Sequence, residues 1–315
     1  MVASRRFLRA AALALGTLAG PAIAATTQPD IRTDDVDRFF KVYDAAQGKP
    51  TAESLQLGYL NPGSTGLHQF VDSRIGNADL LAAAIGRWPA AYADARQCAA
   101  AMPAVRAKLP AVFERLAEVY PPAVFPPVTV VVGRNNTGGT TTAAGVVVGL
   151  EAICRSTWMQ PDVGERLVHL IAHEYVHVQQ PGAQSDPPPG ATLLFLSLLE
   201  GGAEFVGELT SGEVSNSHLA PWTRGHECQI ERAFESAAPG TDAKQWLYNG
   251  AGTPDKPGDL GYWVGYRIAK AYYAQATDKK QAVADILNVE PGTAAGLLRR
   301  SGWTPETDCQ AKAPT

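Results

Sequence analysis

The chain has little charge, few aromatic residues and no apolar run long enough to cross a bilayer. Of its 315 residues, 18% are charged and 8% aromatic, against 45% hydrophobic. No basic cluster follows the extreme N-terminus, which argues against a nucleic-acid partner. No internal stretch approaches the roughly 20 apolar residues that a spanning helix needs. There is no internal repeat, and none of the cysteines form a C-x-x-C pair, the spacing of zinc knuckles and dithiol redox sites. Collagen-like, coiled-coil and disordered compositions are excluded as well. What remains is a mildly acidic globular protein, net charge −4, with enough apolar material for a sizeable core.

The N-terminus carries a different signal. Arg5, Arg6 and Arg9 precede a short apolar stretch over 10–19, then Gly20-Pro21 and Ala22-Ile23-Ala24. A positive segment, an apolar segment and an A-x-A site are what a signal peptidase reads. Residues 1–24 are therefore expected to be a signal peptide, with Ala25 as the close alternative for the cleavage point. The pair Arg5-Arg6 leaves twin-arginine export open beside the general route. Loss of three arginines would take the net charge from −4 to −7. The mature protein is expected in the periplasm or outside the cell, without a membrane span. Four cysteines, Cys98, Cys154, Cys228 and Cys309, then read as two disulfides. Three pairings are open. Cys98–Cys154 with Cys228–Cys309 is preferred, because each bridge then stays on one side of the central motif.

Helical patterning covers residues 36–46, and two or three alanine-rich helices follow over 77–120, interrupted at Pro89, Pro103 and Pro110. The β-branched run over 128–132 reads as a strand and 145–150 as a second. The Gly-, Asn- and Thr-rich stretch over 134–142 reads as the loop between them, implying antiparallel pairing. Asp162, with Glu165 three residues on, starts the clearest helix, which Pro181-Gly182 ends. A Pro-rich connector over 185–190 leads to a second helix over about 191–209. Further helices are expected over 261–274, 280–287 and 294–300. No strong linker appears, so 25–315 is expected to be one domain. Its parts are a helical region (25–120), a core (121–275) and C-terminal helices (276–315).

The chemistry lies in His173-Glu174-Tyr175-Val176-His177, an H-E-x-x-H motif inside the best-defined helix. Residues four apart share a helical face, so two imidazoles can meet one ion. Glu174 is then placed to act as general base on a water. A catalytic zinc usually takes a third protein ligand. The H-x-x-G-x-x-H continuation is absent after His177. Glu200 follows the apolar run 193–199, where a carboxylate is costly unless paired; a metal would pair it. Glu204, one turn on, could accept the other N–H of a ligating histidine. The same spacing, with Glu208, also suits a solvated acidic face. Gly201 and Gly202 point to close approach of another backbone. His169 lies about 12 Å along the helix axis from His177, too far to share the ion, and reads as a packing group.

His173-Glu174-x-x-His177 followed by Glu200-Gly201-Gly202-Ala203-Glu204 resembles the gluzincin arrangement. Together with Gly261-Tyr262-Trp263-Val264-Gly265-Tyr266-Arg267 it is similar to a family of predicted zinc-dependent proteases, a domain of unknown function, over roughly residues 125–275. The resemblance implies His173, His177 and Glu200 as Zn²⁺ ligands, Glu174 as base and Glu204 behind them. It also implies that an extended peptide lies along the strand at 145–150. The fold expected is α+β and gluzincin-like: a small antiparallel sheet, the motif helix, the glutamate-bearing helix and a mostly helical remainder. A developing oxyanion needs a donor besides the metal. Tyr262 and Tyr266 are the candidates, with His226 as an outsider.

These residues point to an exported zinc metallopeptidase acting on a peptide or protein. The same site also serves metal-dependent hydrolysis of another substrate. The rival from another class is a non-catalytic periplasmic binding or scaffold protein that retains the fold.

Overall fold

Four short strands form a mixed sheet in the computed structural model, which describes residues 29–182, 187–306 and 309. They are β1 (Ile31–Arg32), β2 (Val128–Val131), β3 (Gly139–Thr142) and β4 (Gly145–Gly149), in spatial order β1-β2-β4-β3. The expected leader, residues 1–24, lies outside the described residues, as do residues 183–186 of the Pro-rich connector.

The sheet corrects one expectation. β2 and β4 pair in parallel, Val128 opposite Val146 through Val131 opposite Gly149. The stretch expected to be a loop supplies β3, which crosses to the far edge and turns back into β4 as an antiparallel hairpin. Gly and Asn hid it, although Thr140, Thr141 and Thr142 are β-branched and suit a strand. β2 and β4 are buried along their whole length, as parallel strands covered on both faces must be. β3 is half-exposed and forms one edge of the sheet, with β1 at the other.

Helices make up most of the remainder. Pro89 and Pro103 open helices at Pro89–Ala99 and Met102–Val119, where a missing N–H costs nothing. Pro110 does not interrupt the second of these. The carbonyl it leaves without a partner belongs to Arg106, an exposed residue that water can serve. Meanwhile Val105, Leu109, Val112, Phe113 and Leu116 stay buried on the other face.

Three long helices matter for the site. The motif helix runs Val163–Gln179, the glutamate helix Leu193–Ser211 and the tyrosine helix Leu260–Gln275. Asp162 accepts from the Glu165 amide and Thr192 from the Phe195 amide, capping the first two. Gly212, at φ 95°, ends the glutamate helix in the left-handed conformation. Cys98 is bonded to Cys154 and Cys228 to Cys309, so each bridge stays on one side of the motif. Among the described residues no helix is long and apolar enough to cross a membrane.

Candidate metal centre

His173 and His177 project from one face of the motif helix, and both are buried. Their Nε2 atoms lie 3.1 Å apart. Glu200 arrives from the glutamate helix with Oε2 3.1 Å from His177 Nε2 and 3.6 Å from His173 Nε2. The Nδ1 atom of His177 donates to Gln180 Oε1 at 2.6 Å, and Gln180 Nε2 donates to the Leu199 carbonyl at 2.8 Å, tying the two helices together. On His173, Nδ1 lies 3.1 Å from Glu204 Oε1, an ion-pair distance that falls short of hydrogen-bond geometry. Glu204 is fixed in turn by the backbone and side-chain amides of Asn216. The solvated acidic face is thereby excluded, since Glu200 and Glu204 are both buried.

This donor set fits a divalent cation. With acceptors opposite both Nδ1 atoms, each Nε2 presents a lone pair inward, beside a carboxylate oxygen. With both Nε2 atoms unprotonated, three acceptors face one another and a cation between them would satisfy all three. Tetrahedral zinc with ligands at about 2.0–2.1 Å sets neighbouring donor atoms about 3.3 Å apart; the three separations here are 3.1, 3.1 and 3.6 Å. Within the cluster itself the imidazoles and carboxylates hold one another's charge, the role a bound cation would take over. Burial opposes ionisation of Glu200, but His177 and His173 outweigh it and hold the carboxyl well below the usual range. Burial likewise works against a charged His173, yet Glu204 and Glu200 raise it, and Glu200 does the same for His177.

Glu174, between the two histidines, points toward β3. The Thr141 hydroxyl lies 2.8 Å from its backbone oxygen and 3.2 Å from Oε2. Gly139 leaves room for the carboxylate: a Cβ there would come within 2.8 Å of Glu174 Oε1. Burial pushes the Glu174 carboxyl up, against the pull of His177 and His173, a direction that suits a proton acceptor. A cleft of about 1060 Å³ opens over this group, walled by β3 on one side and by Tyr248 and Tyr262 on another.

The remaining expectations divide. Tyr262 lines the cleft with its ring stacked beside His173, centroids 6.2 Å apart. Tyr266 does not: its hydroxyl is 3.0 and 2.9 Å from the two carboxylate oxygens of Glu208 and is bonded to Lys270, outside the cleft. The two tyrosines share a helical face, but Tyr266 lies about 6 Å further along the axis, past the cleft and beside Glu208. His226 stands just before the helix Glu227–Ala237, without a capping bond from its side chain, and is not part of the cleft wall. His169 packs against Ser211, its Nδ1 2.9 Å from the hydroxyl. The segment expected to receive a peptide, β4, is paired on both sides, so the open edge beside Glu174 is β3. Sequence reasoning missed Gln180, Thr141 and Tyr248. The last donates from its hydroxyl to Glu200 Oε1 at 2.7 Å.

The residues around this cluster also match a known family model. The match is to the predicted Zn-dependent protease family (DUF2268), over residues 142–295. No curated protein and no solved structure matches the chain. The stretch similar to the predicted Zn-dependent proteases contains the histidine pair, Glu174, Glu200, Glu204 and both cleft tyrosines. It begins at the last residue of β3, so Gly139 and Thr141, which shape the space around Glu174, lie just ahead of it.

Proposed function

We propose that the protein is an exported zinc metallopeptidase of gluzincin type, with residues 25–315 forming a single domain. Continuity of the hydrophobic core from Val36 to Leu297 supports the single domain. The two disulfides support an oxidising compartment, periplasmic or extracellular. The observation that carries the reading is the convergence of His173 Nε2, His177 Nε2 and Glu200 Oε2, with Glu174 beside them.

His173, His177 and Glu200 would hold zinc, and Glu204 and Gln180 would keep the histidine lone pairs turned inward. Bound zinc supplies Lewis acidity, which polarises a carbonyl and makes water acidic enough to ionise near neutral pH. Glu174 takes the proton from the attacking water and delivers it to the leaving nitrogen. Thr141 and Gly139 hold the Glu174 carboxylate toward the cleft. Tyr262, whose hydroxyl has no hydrogen-bond partner among the described residues, serves the developing oxyanion. An extended peptide adds to the free edge of β3, its backbone completing the ladder.

Zinc analysis of the purified protein, with cleavage of a mixed peptide library by wild type and Glu174→Gln, tests this reading. One zinc per chain and a loss of at least about a hundredfold in the variant support it. Undiminished cleavage by the variant contradicts it. Bound zinc with no cleavage by either protein favours the non-catalytic scaffold.

A further inference from the structure

Glu200 divides its two oxygens between different partners. Oε2 faces the histidine pair, while Oε1 accepts from the Tyr248 hydroxyl at 2.7 Å. Tyr248 does not belong to any of the three site helices. It stands at the start of a loop that carries a small hairpin, Gly252–Thr253 paired with Lys256–Pro257, and returns at Asp259. The loop is pinched at its neck by a reciprocal pair. The Asn249 amide donates to Asp259 Oδ1 at 2.9 Å and the Asp259 amide to Asn249 Oδ1 at 2.7 Å.

Both ends of that neck are strained. Tyr248 has φ 59° and Asp259 φ 52°, left-handed values that side chains other than glycine seldom adopt. A bulky aromatic residue persists there only when its surroundings over-determine it, and such outliers gather at working sites. The strained backbone carries the Tyr248 side chain over the cleft rim. The residue is 59% exposed, yet its hydroxyl reaches a carboxylate that is 7% exposed. The Tyr262 ring meets it edge to face at 6.2 Å and limits its swing.

We infer that Tyr248 is a positioning residue for the metal centre: its hydroxyl occupies Glu200 Oε1, so the carboxylate offers the cation a single oxygen, Oε2. A carboxylate can ligate through one oxygen or two, and the choice sets how many positions remain for water and substrate. Without the phenol, Oε1 is free to rotate toward the cation or to draw in solvent. The inference rests on the proposed zinc site and concerns its geometry rather than its existence.

Tyr248→Phe keeps the ring and removes the hydroxyl. The experiment measures zinc affinity by chelator competition and the visible absorption of the Co²⁺-substituted protein, for wild type and variant. The variant is expected to bind zinc about ten- to a hundredfold more weakly and to show an altered cobalt spectrum, with its circular dichroism unchanged. Asn249→Ala, which opens the neck but retains the phenol, is expected to shift the same spectrum in the same sense by less. It answers the question should Tyr248→Phe fold poorly. Wild-type affinity and an unchanged cobalt spectrum in Tyr248→Phe, or in Asn249→Ala where only that variant folds, overturn the inference while leaving the metal site standing. A wild type that takes up neither zinc nor cobalt overturns the metal site and this inference together.

Discussion

Gly201 and Gly265 meet backbone to backbone where the glutamate and tyrosine helices cross. A Cβ on Gly201 would lie 2.1 Å from the Gly265 carbonyl carbon, and one on Gly265 would lie 1.7 Å from the Ser197 carbonyl oxygen. Small residues at both faces let the helices approach until Tyr262 reaches the cleft beside Glu200. Gly202, expected to share this role, faces the Ile286 side chain instead.

Gly265→Ala has no flexible neighbour to displace, so the helices must separate. Overpacking of this kind costs about 1–3 kcal/mol or more. Denaturant unfolding is expected to show a loss at the top of that range, and hydrolysis should fall with it because Glu200 and Tyr262 move apart.

Gly139→Ala acts on chemistry rather than stability. The new methyl would sit 2.8 Å from Glu174 Oε1 and push the carboxylate out of its place. Peptide cleavage is expected to fall at least about tenfold, with zinc content and melting temperature near wild type.

His218 gives the fold a pH dependence separate from catalysis. It is buried against Trp222, neither ring nitrogen has a hydrogen-bond partner among the described residues, and burial pulls it down to about 4, against a weaker upward pull from Glu204. Its folded value lies below the unfolded one of about 6.5, so the unfolded chain binds the extra proton. Stability is intact above pH 6.5 and is lost as the pH falls from there toward 4. Between pH 7.5 and pH 5 the loss from this group is about 2 kcal/mol. Unfolding curves of His218→Leu at the two pH values are expected to differ by about that much less than those of wild type.

The Cys98–Cys154 bridge spans 56 residues and joins the helix Pro89–Ala99 to the helix Leu150–Arg155. Closing a loop of that length restrains the unfolded chain by about 4 kcal/mol in the chain-entropy picture. Cys98→Ala with Cys154→Ala is expected to lower unfolding stability by about 2–4 kcal/mol, as is mild reduction of the native protein.

Much of the site was legible because it obeys helical arithmetic. The four-residue spacing of His173 and His177 put both on one face, and the Asp162 cap and the Pro181 stop placed the helix that carries them within a residue of its true bounds. Glu200 was legible from its cost: a carboxylate ending an apolar run demands a partner. What periodicity does not carry is position along the helix axis and tertiary pairing. Tyr262 and Tyr266 are equivalent by spacing, but only the packing against Gly201 decides which one faces His173. The parallel pairing of β2 with β4 depends on β3 crossing to the outside, and Gly139 resembles loop until Glu174 is seen against it. Tyr248 lies in a turn-rich stretch with no pattern, 48 residues from its partner. Its signal is a backbone angle, which a sequence does not display.

The most direct measurement is anomalous diffraction at the zinc edge from crystals grown with zinc. A single peak about 2.0–2.2 Å from His173 Nε2, His177 Nε2 and Glu200 Oε2 is the predicted result. A map with no peak among these three atoms, or with zinc held elsewhere on the chain, would contradict the assignment of this cluster as a metal centre.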